Sequence, residues 1–122
     1  MDSLNQVLKA YGDAWCEVDD GRRRDLLTSA WADDGLYQDP SGEALGRDSL
    51  VGHIGRVHDQ FPGARIELTS GVDGHHDRIR FAWRMVLPDG SVPVQGIDIG
   101  RIGADGRLTE IIGFFGAQPP EA

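Results

Sequence analysis

Hydrophobic residues in the first half of the chain recur at intervals of three and four, the spacing of amphipathic helices. Ser3 and Gln6 have the spacing of a capping box, so the first helix is predicted to begin there and to end near Val18. A shorter second helix follows, and a third is predicted over residues 47–60 because Pro62 stops it. The apolar faces of these helices are Leu4, Val7, Leu8, Tyr11, Trp15 and Val18; Leu26, Leu27, Ala30 and Trp31; and Leu50, Val51, Ile54, Val57 and Phe61.

After residue 63 apolar and polar residues alternate, which indicates strands. Short segments rich in Asp and Gly, at 88–91 and 104–106, have the composition of hairpin connections. A further short strand is predicted at 35–38, before a turn at 39–42. Three helices followed by a long antiparallel meander predict an α+β fold with the helices on one face of a curved sheet. The four long strand runs are 64–72, 76–87, 92–102 and 108–115.

The alternation also predicts which sheet face meets the helices. In the second long run an apolar set alternates with arginines, and the apolar set must face inward because a buried arginine carries a large desolvation cost. The third long run allows two registers. One turns Asp98 inward between Gly96 and Gly100, which would leave empty volume beside a buried acid, as in a pocket. The other buries Ile97 and Ile99 together with polar neighbours. The inward set of the second run is Ile79, Phe81, Trp83 and Met85, and its outward arginines are Arg78, Arg80 and Arg84.

The composition predicts one soluble globular domain over residues 1–122, since 39% of residues are hydrophobic and 26% are charged. A net charge of −8 argues against nucleic acid and anionic membranes as partners. The one basic run, Arg22, Arg23 and Arg24, is predicted to be a solvated helix start. The sequence has no apolar run that could span a membrane and no signal-peptide pattern, and its single cysteine, Cys16, cannot form an internal disulfide. These features together predict a cytoplasmic protein.

The segment WADDGLYQDPSG places Asp39 directly before a proline. Proline biases the residue before it towards an extended conformation. Asp39 therefore either caps a solvated turn with its own side chain, as aspartate often does, or stands at the rim of a cavity. Tyr37, two residues earlier, would share its strand face and line the same opening.

Three segments together resemble the nuclear transport factor 2-like superfamily, and within it the SnoaL-like and ketosteroid-isomerase-like branches. They are WADDGLYQDPSG, GRDSLVGHI and GIDIGRIGADGRLTEIIGFF. The resemblance extends over residues 7–115. It implies a cone-shaped, cystatin-like α+β barrel, in which three N-terminal helices pack in the concavity of a strongly curved, mostly antiparallel sheet around a deep apolar pocket.

The resemblance also implies roles for particular residues. On the ketosteroid isomerase pattern, Asp39 matches the general base and Asp98 matches the protonated acid of the oxyanion hole. The tyrosine of that oxyanion hole falls on Trp15 instead of Tyr11, which departs from the pattern. In SnoaL-like cyclases, an acid at the position of Asp98 does the acid–base work alone. The resemblance thus implies proton transfer, as isomerisation or cyclisation, with no metal or organic cofactor.

Six residues are predicted to line the pocket. An inward Asp98 would have a raised pKa, because burial disfavours the charged form. His53 borders the buried face of the third helix and could reach the pocket mouth. No metal site is predicted, because neighbouring His75 and His76 would point to opposite faces of a strand and no third ligand lies near them in sequence. The predicted lining is Trp15, Tyr37, Phe81, Trp83, Phe115 and His53.

Three functions remain open on these features. One is an enzyme-like pocket for a small apolar molecule with a carbonyl or hydroxyl group, with Asp98 as acid–base and Asp39 as a second base. Another is a non-catalytic module that binds such a molecule, and the third is an interaction domain that binds another protein. Ile97 and Ile99 on the outer sheet face would form part of an apolar patch, which predicts a homodimer through that face.

Overall fold

The computed structural model describes residues 2–121, which form three helices and seven strands. This arrangement confirms the predicted α+β class. The helices are α1 (Asp2–Cys16), α2 (Asp20–Ala30) and α3 (Arg47–Gln60). The strands are β1 (Trp31–Asp39), β2 (Gly42–Leu45), β3 (Arg65–Leu68), β4 (Asp73–His75), β5 (Arg78–Val86), β6 (Gln95–Ile102) and β7 (Leu108–Phe115).

All the strands belong to one mixed sheet in the order β2-β1-β7-β6-β5-β3, with β4 also paired to β5. β3 pairs with Val86 to Trp83 of β5, and β4 pairs with the other end of the same strand. The pairing of β1 with β7 is parallel and the other pairs are antiparallel. The predicted meander is therefore present, but β1 extends it by joining the edge of β7, a long-range contact that local patterning does not encode.

The elements around Trp31 differ from the prediction. Trp31 was placed on the second helix, yet it is the first residue of β1, which runs for nine residues. The β2 strand was not predicted at all. Asp33, Asp34 and Gly35 have low strand propensity, which conceals the start of β1 from local patterning. The β2 strand has only four residues and forms by pairing with residues 36–39 of β1.

The α1 helix ends at Cys16, short of the predicted Val18. Asp19 already serves as the N-cap of α2, and its side chain accepts a hydrogen bond from the Arg22 backbone N–H. The α3 helix has the predicted bounds and ends before Pro62. The β7 strand also has its predicted bounds.

Arg23 of α2 is buried and forms hydrogen bonds to the other two helical regions. It is not part of a solvated helix start, contrary to the prediction from the sequence. Only 1% of the residue is exposed. Its guanidinium donates to the Glu17 carbonyl at 2.7 and 3.0 Å, to the Val51 carbonyl at 3.0 Å and to Asp20 at 2.8 Å. These contacts satisfy the guanidinium donors and give the charge an acidic partner, which explains why a charged side chain is stable there.

The core lies between the helices and the inner face of the sheet. Trp31 is fully buried and stacks on Tyr11 of α1, with 5.7 Å between ring centroids. Gly35 lies against the same indole, since a Cβ on Gly35 would be 2.4 Å from Trp31 Nε1. Trp31 thus joins α1 to the start of the sheet. Other buried members of this core are Leu27, Leu50, Ile54, Ile79, Leu108 and Ile111.

Replacing Gly35 by alanine is expected to destabilise the protein by about 1–3 kcal/mol, because the new methyl group would overlap a rigid buried ring. Gly12→Ala is the matched control: nothing lies within 4 Å of its Cβ position on α1, so the better helix former should be neutral or add up to about 1 kcal/mol. Urea unfolding midpoints would measure both effects. Equal midpoints for the two variants would contradict the predicted packing of Trp31.

Candidate functional site

A cavity of about 380 Å³ lies between the helices and the inner face of the sheet. Its walls are contributed by α1, the C-terminal end of α3 and strands of the curved sheet. Most of the lining is apolar, which is typical of a small-molecule site. The exceptions that matter chemically are two acids, Asp39 and Asp98, and two tyrosines, Tyr11 and Tyr37. Apolar lining residues include Leu8, Val57, Phe61, Ile66, Met85 and Val94.

Asp98 faces into this cavity from the middle of β6. The residue is 7% exposed, whereas its neighbours Ile97 and Ile99 are 46% and 42% exposed on the other face. The strand therefore adopts the register that turns the acid inward. Trp83 on β5 donates from Nε1 to Asp98 Oδ1 at 2.9 Å. Among residues 2–121, no donor contacts the second oxygen, Oδ2, so that atom is free to face a ligand.

Burial gives Asp98 an unusual proton affinity. Desolvation is the largest cause and raises its pKa, the negative charge of Asp39 raises it further, and the Trp83 hydrogen bond opposes both. The net effect raises the pKa of Asp98 from 3.8 to about 7. Asp98 can therefore both gain and lose a proton near neutral pH.

The glycines beside Asp98 do not create the cavity, contrary to the sequence-based argument. A Cβ on Gly100 would be 2.7 Å from Ile111 Cδ1, and one on Gly96 would be 2.1 Å from the Phe114 carbonyl oxygen. Neighbouring atoms thus already fill that space. Gly113 on β7 is the glycine that makes room for the acid, because a Cβ there would be 2.8 Å from Asp98 Oδ1. Nothing local in the sequence indicates this role, which depends on strand pairing.

Asp39 combines the two alternatives that its sequence position left open. Its Oδ1 caps the turn, accepting from the Ser41 backbone N–H at 2.7 Å, the Ser41 hydroxyl at 2.6 Å and the Gly42 N–H at 3.1 Å. Its Oδ2 accepts from the Tyr37 hydroxyl at 2.5 Å. The side chain is only 5% exposed, and it also lines the cavity. Asp39 is therefore a turn cap and part of the cavity wall at once.

The polar groups around Asp39 keep it ionised. Burial alone would raise its pKa, but His53, Ser41 and Tyr37 together outweigh that effect and hold the pKa well below its usual value. A carboxylate with so low a pKa is a poor proton acceptor. Asp39 thus supplies a fixed negative charge, and Asp98 supplies a proton affinity near 7.

The two acids lie on the same sheet face on either side of Gly113. Asp98 pairs with Gly113 across β6 and β7. Gln38 pairs with Ile112 across β1 and β7, which brings Asp39 level with Gly113. Neighbouring strands are about 4.8 Å apart, so the two backbones are separated by about 10 Å. Both side chains extend over Gly113, since a Cβ there would be 2.8 Å from Asp98 Oδ1 and 3.4 Å from Asp39 Cβ, so the two acids are neighbours in the cavity wall.

Tyr11 is the site residue that sequence reasoning assigned only to the helix core. It is buried, lines the cavity, and its hydroxyl has no hydrogen-bond partner among the described residues. Burial raises the pKa of Tyr11 well above its usual value and the charge of Asp98 raises it further, whereas the nearby Trp15 side chain opposes both without forming a hydrogen bond of good geometry. Tyr11 lies one helical turn before Trp15, so the two share a face. The spacing of Tyr11 and Trp15 in the sequence could have indicated that Tyr11 also lines the cavity, although the tyrosine of the isomerase pattern falls on Trp15.

His53 is not among the residues that border the cavity. It is buried behind the wall, with Nε2 3.8 Å from Asp39 Oδ2 and its ring centroid 5.2 Å from that of Tyr37. The side chain leans towards the β1–β2 turn, where Gly42 leaves room for it. The other predicted lining residues do border the cavity: Trp15, Tyr37, Phe81, Trp83 and Phe115.

The described part of the chain contains no group of three or more His, Cys, Asp or Glu side chains that could hold a metal ion. His75 and His76 lie together on the surface, with 2.9 Å between their Nδ1 atoms. Within residues 2–121, no helix has the length and apolar character needed to cross a membrane.

The raised pKa of Asp98 predicts a pH-dependent loss of stability. The folded protein holds this proton more tightly than the unfolded chain, so the free energy of unfolding falls as pH rises from about 4 to about 7. The contribution is on the order of 4 kcal/mol. Asp98→Asn cannot ionise and should gain this amount relative to wild type between pH 4 and pH 8, measured by urea unfolding.

The exposed Asp34→Asn variant is the control and should follow wild type at every pH. Asp39 does not interfere, because its lowered pKa confines its own effect to pH below about 4. A constant difference between Asp98→Asn and wild type across this range would show that the pKa of Asp98 is ordinary.

Comparisons with known proteins identify the family. The profile of the SnoaL-like domain matches residues 12–111. A candidate isomerase of the SnoaL-like family from Agrobacterium tumefaciens is 33% identical, with a TM-score of 0.88 over 96% of this chain and 100% of that chain. No curated protein matches the chain.

More distant structures share the fold. An NTF2-like protein of unknown function from Exiguobacterium is 21% identical, with a TM-score of 0.73 over 92% of this chain and 99% of that one. A candidate SnoaL-like polyketide cyclase from Jannaschia is 16% identical, with a TM-score of 0.72 over 93% of this chain and 85% of that one. The chain therefore belongs to the SnoaL-like domain family and has the NTF2-like, cystatin-like fold.

Proposed function

We propose that the cavity binds a small apolar molecule with a carbonyl or hydroxyl group and that Asp98 transfers a proton to or from it. The observation that carries this proposal is a buried carboxyl group whose pKa is raised to about 7 and whose Oδ2 is free on the cavity side. An acid–base group works best when its pKa is close to the working pH. An ordinary aspartate would be too weak a base for this task.

The chemistry follows from the groups around Asp98. Its carboxylate takes a proton from the carbon next to the substrate carbonyl, so a C–H bond breaks and an O–H bond forms on Asp98. The negative charge moves to the substrate oxygen, and the Tyr11 hydroxyl, which is buried in the cavity wall, donates a hydrogen bond to it after turning toward the cavity. Asp98 then returns the proton, either to another carbon of the substrate or to an oxygen formed by ring closure.

Asp39 contributes charge in this scheme and does not act as a second base. Its pKa is too low for efficient proton abstraction. Its negative charge raises the pKa of Asp98 and thereby strengthens Asp98 as a base. The rim-side base expected from the isomerase pattern is replaced by an electrostatic role.

Related structures support this class of reaction. The Agrobacterium protein is named as a candidate isomerase, and the proteins from Jannaschia and Sinorhizobium meliloti as candidate polyketide cyclases. Isomerisation and aldol-type cyclisation both begin with removal of a proton next to a carbonyl. A single acid–base group such as Asp98 can serve either, and substrate shape decides which product forms.

The alternative is a non-catalytic binding module with the same cavity. The Trp83 hydrogen bond favours this alternative, because it already gives Asp98 one partner and so provides a structural reason for a buried acid. Proton exchange distinguishes the two functions, since a binding module would hold the ligand without exchanging its protons.

We also propose that the outer sheet face pairs with a second copy of the chain. Ile97 on β6 lies opposite Phe114 on β7, and these residues are 46% and 59% exposed. Ile99 lies opposite Ile112 beside them. These four residues form a contiguous apolar patch, which is the usual mark of an interaction surface.

The catalytic proposal predicts that the protein accelerates hydrogen–deuterium exchange next to the carbonyl of 2-tetralone, a neutral apolar ketone. Asp98→Asn should lower the rate at least 100-fold, and Tyr11→Phe should lower it on the order of 100-fold. Because the base must be ionised, the rate should rise with pH and level off above about 7. Proton NMR in deuterated buffer measures the exchange.

Asp34→Asn is again the control and should keep the wild-type exchange rate. Exchange no faster than in buffer, together with a ligand-induced rise in melting temperature, would favour the binding module. Exchange that survives in Asp98→Asn would remove Asp98 from the mechanism.

The dimer proposal predicts that sedimentation equilibrium gives twice the 13.3 kDa of one chain at micromolar concentration. Ile97→Lys combined with Phe114→Lys should weaken association at least tenfold, because it places unpaired charges in the apolar patch. Val18→Lys, at a site exposed to 69% away from the sheet, should not. A monomeric wild type would refute the dimer.

A further inference from the structure

The cavity wall contains acids but no bases. Within the part of the chain that the structure describes, no lysine, arginine or histidine lines the cavity, whereas Asp39 and Asp98 both do. We infer that the cavity selects its ligand by charge: it admits uncharged and amine-bearing apolar molecules and excludes carboxylates and phosphates. This inference rests on the proposed function, because it names the substrate class of the same cavity.

Basic side chains are directed away from this space. On β5 the three arginines alternate with the apolar cavity-facing residues and point outward. Arg80 pairs with Asp73, Arg84 with Glu67 and Arg78 with Glu110. The buried Arg23 is held by the Glu17 and Val51 carbonyls and by Asp20. None of these cations can neutralise an anion bound inside the cavity.

The negative charge inside the cavity is held in place by the fold. Asp39 Oδ1 accepts three hydrogen bonds from the turn that follows it, which leaves the carboxylate little freedom to rotate away. The nearest basic group, His53, lies behind the wall with its Nε2 3.8 Å from Asp39 Oδ2. A ligand therefore meets a carboxylate whose position does not adjust to it.

The surrounding walls strengthen this discrimination. Aromatic rings from Trp15, Tyr37, Phe81, Trp83 and Phe115 border the same space. They lower the local polarity, so a second negative charge would lose its hydration without gaining a counter-ion. The faces of such rings attract cations, so a protonated amine meets both carboxylate and aromatic partners. An uncharged ligand experiences neither the penalty for a second negative charge nor the attraction for a cation.

Three ligands of matched shape test the inference at pH 8: 2-(2-naphthyl)ethanol, 2-(2-naphthyl)ethylamine and 2-naphthylacetate. Isothermal titration calorimetry gives each dissociation constant. For the wild-type protein we expect the alcohol and the amine to bind and the acetate to bind at least tenfold more weakly than the alcohol. Acetate binding as tight as alcohol binding would overturn the inference, as would failure of all three ligands to bind at about 1 mM.

The double variant Asp39→Asn with Asp98→Asn locates the cause. Relative to its affinity for the alcohol, its affinity for the acetate should rise at least tenfold and its affinity for the amine should fall at least tenfold. Asparagine retains an acceptor for the turn at position 39 and for Trp83 at position 98. If the double variant no longer binds the alcohol, the single Asp39→Asn variant should show the same shift in smaller measure. Unchanged ratios in a variant that binds the alcohol would overturn the inference.

Asp25→Asn with Asp34→Asn is the matched control, because both residues are exposed and the same two charges are removed from the outside. It should keep the wild-type ratios between the three dissociation constants. If these ratios change as much as in the cavity variant, the selectivity comes from net charge and not from the cavity acids. The experiments can refute charge selection and catalysis independently of each other. Selective binding without proton exchange refutes only the proposed reaction, whereas exchange of 2-tetralone without charge selection refutes only this inference.

Discussion

The structure depends on one constraint: the carboxyl group of Asp98 is buried in apolar surroundings and has to be stabilised there. Burial of Asp98 has a free-energy cost that only three features reduce: the Trp83 N–H, the space above Gly113 and the ability to hold a proton near neutral pH. The first two come from β5 and β7, the strands on either side of β6. The sheet therefore has to assemble in its full register before this acid can be accommodated.

Asp39 is also buried, but it is stabilised in its charged form and not in its protonated form. Asp39 remains charged because the turn and Tyr37 give it enough donors to offset its burial. Two aspartates on one sheet face thus have proton affinities on opposite sides of the usual value. Divergence of this kind between neighbouring acids is how a fold assigns different chemical roles to the same residue type.

Much of the fold could be predicted from the sequence, whereas the site could be predicted only in part. The bounds of α3 and β7 and the outward arginines of β5 follow from local periodicity and stop signals. The inward position of Asp98 required a choice between two registers. The parallel pairing of β1 with β7, and with it the role of Gly113, depends on residues far apart in sequence. The free Tyr11 hydroxyl and the displaced His53 depend on side-chain packing, which periodicity does not report.

The parallel contact between β1 and β7 has a consequence for how the chain folds. Residues 31–39 can complete their pairing only after residues 108–115 have been synthesised. Until then β1 and β2 cannot be joined to the other strands, because β7 lies between β1 and β6 in the sheet. Contacts between segments so distant along the chain slow folding and prolong the exposure of apolar faces. We therefore expect the apolar faces of this protein to be most open to aggregation, and to chaperone binding, until the last strand has been synthesised.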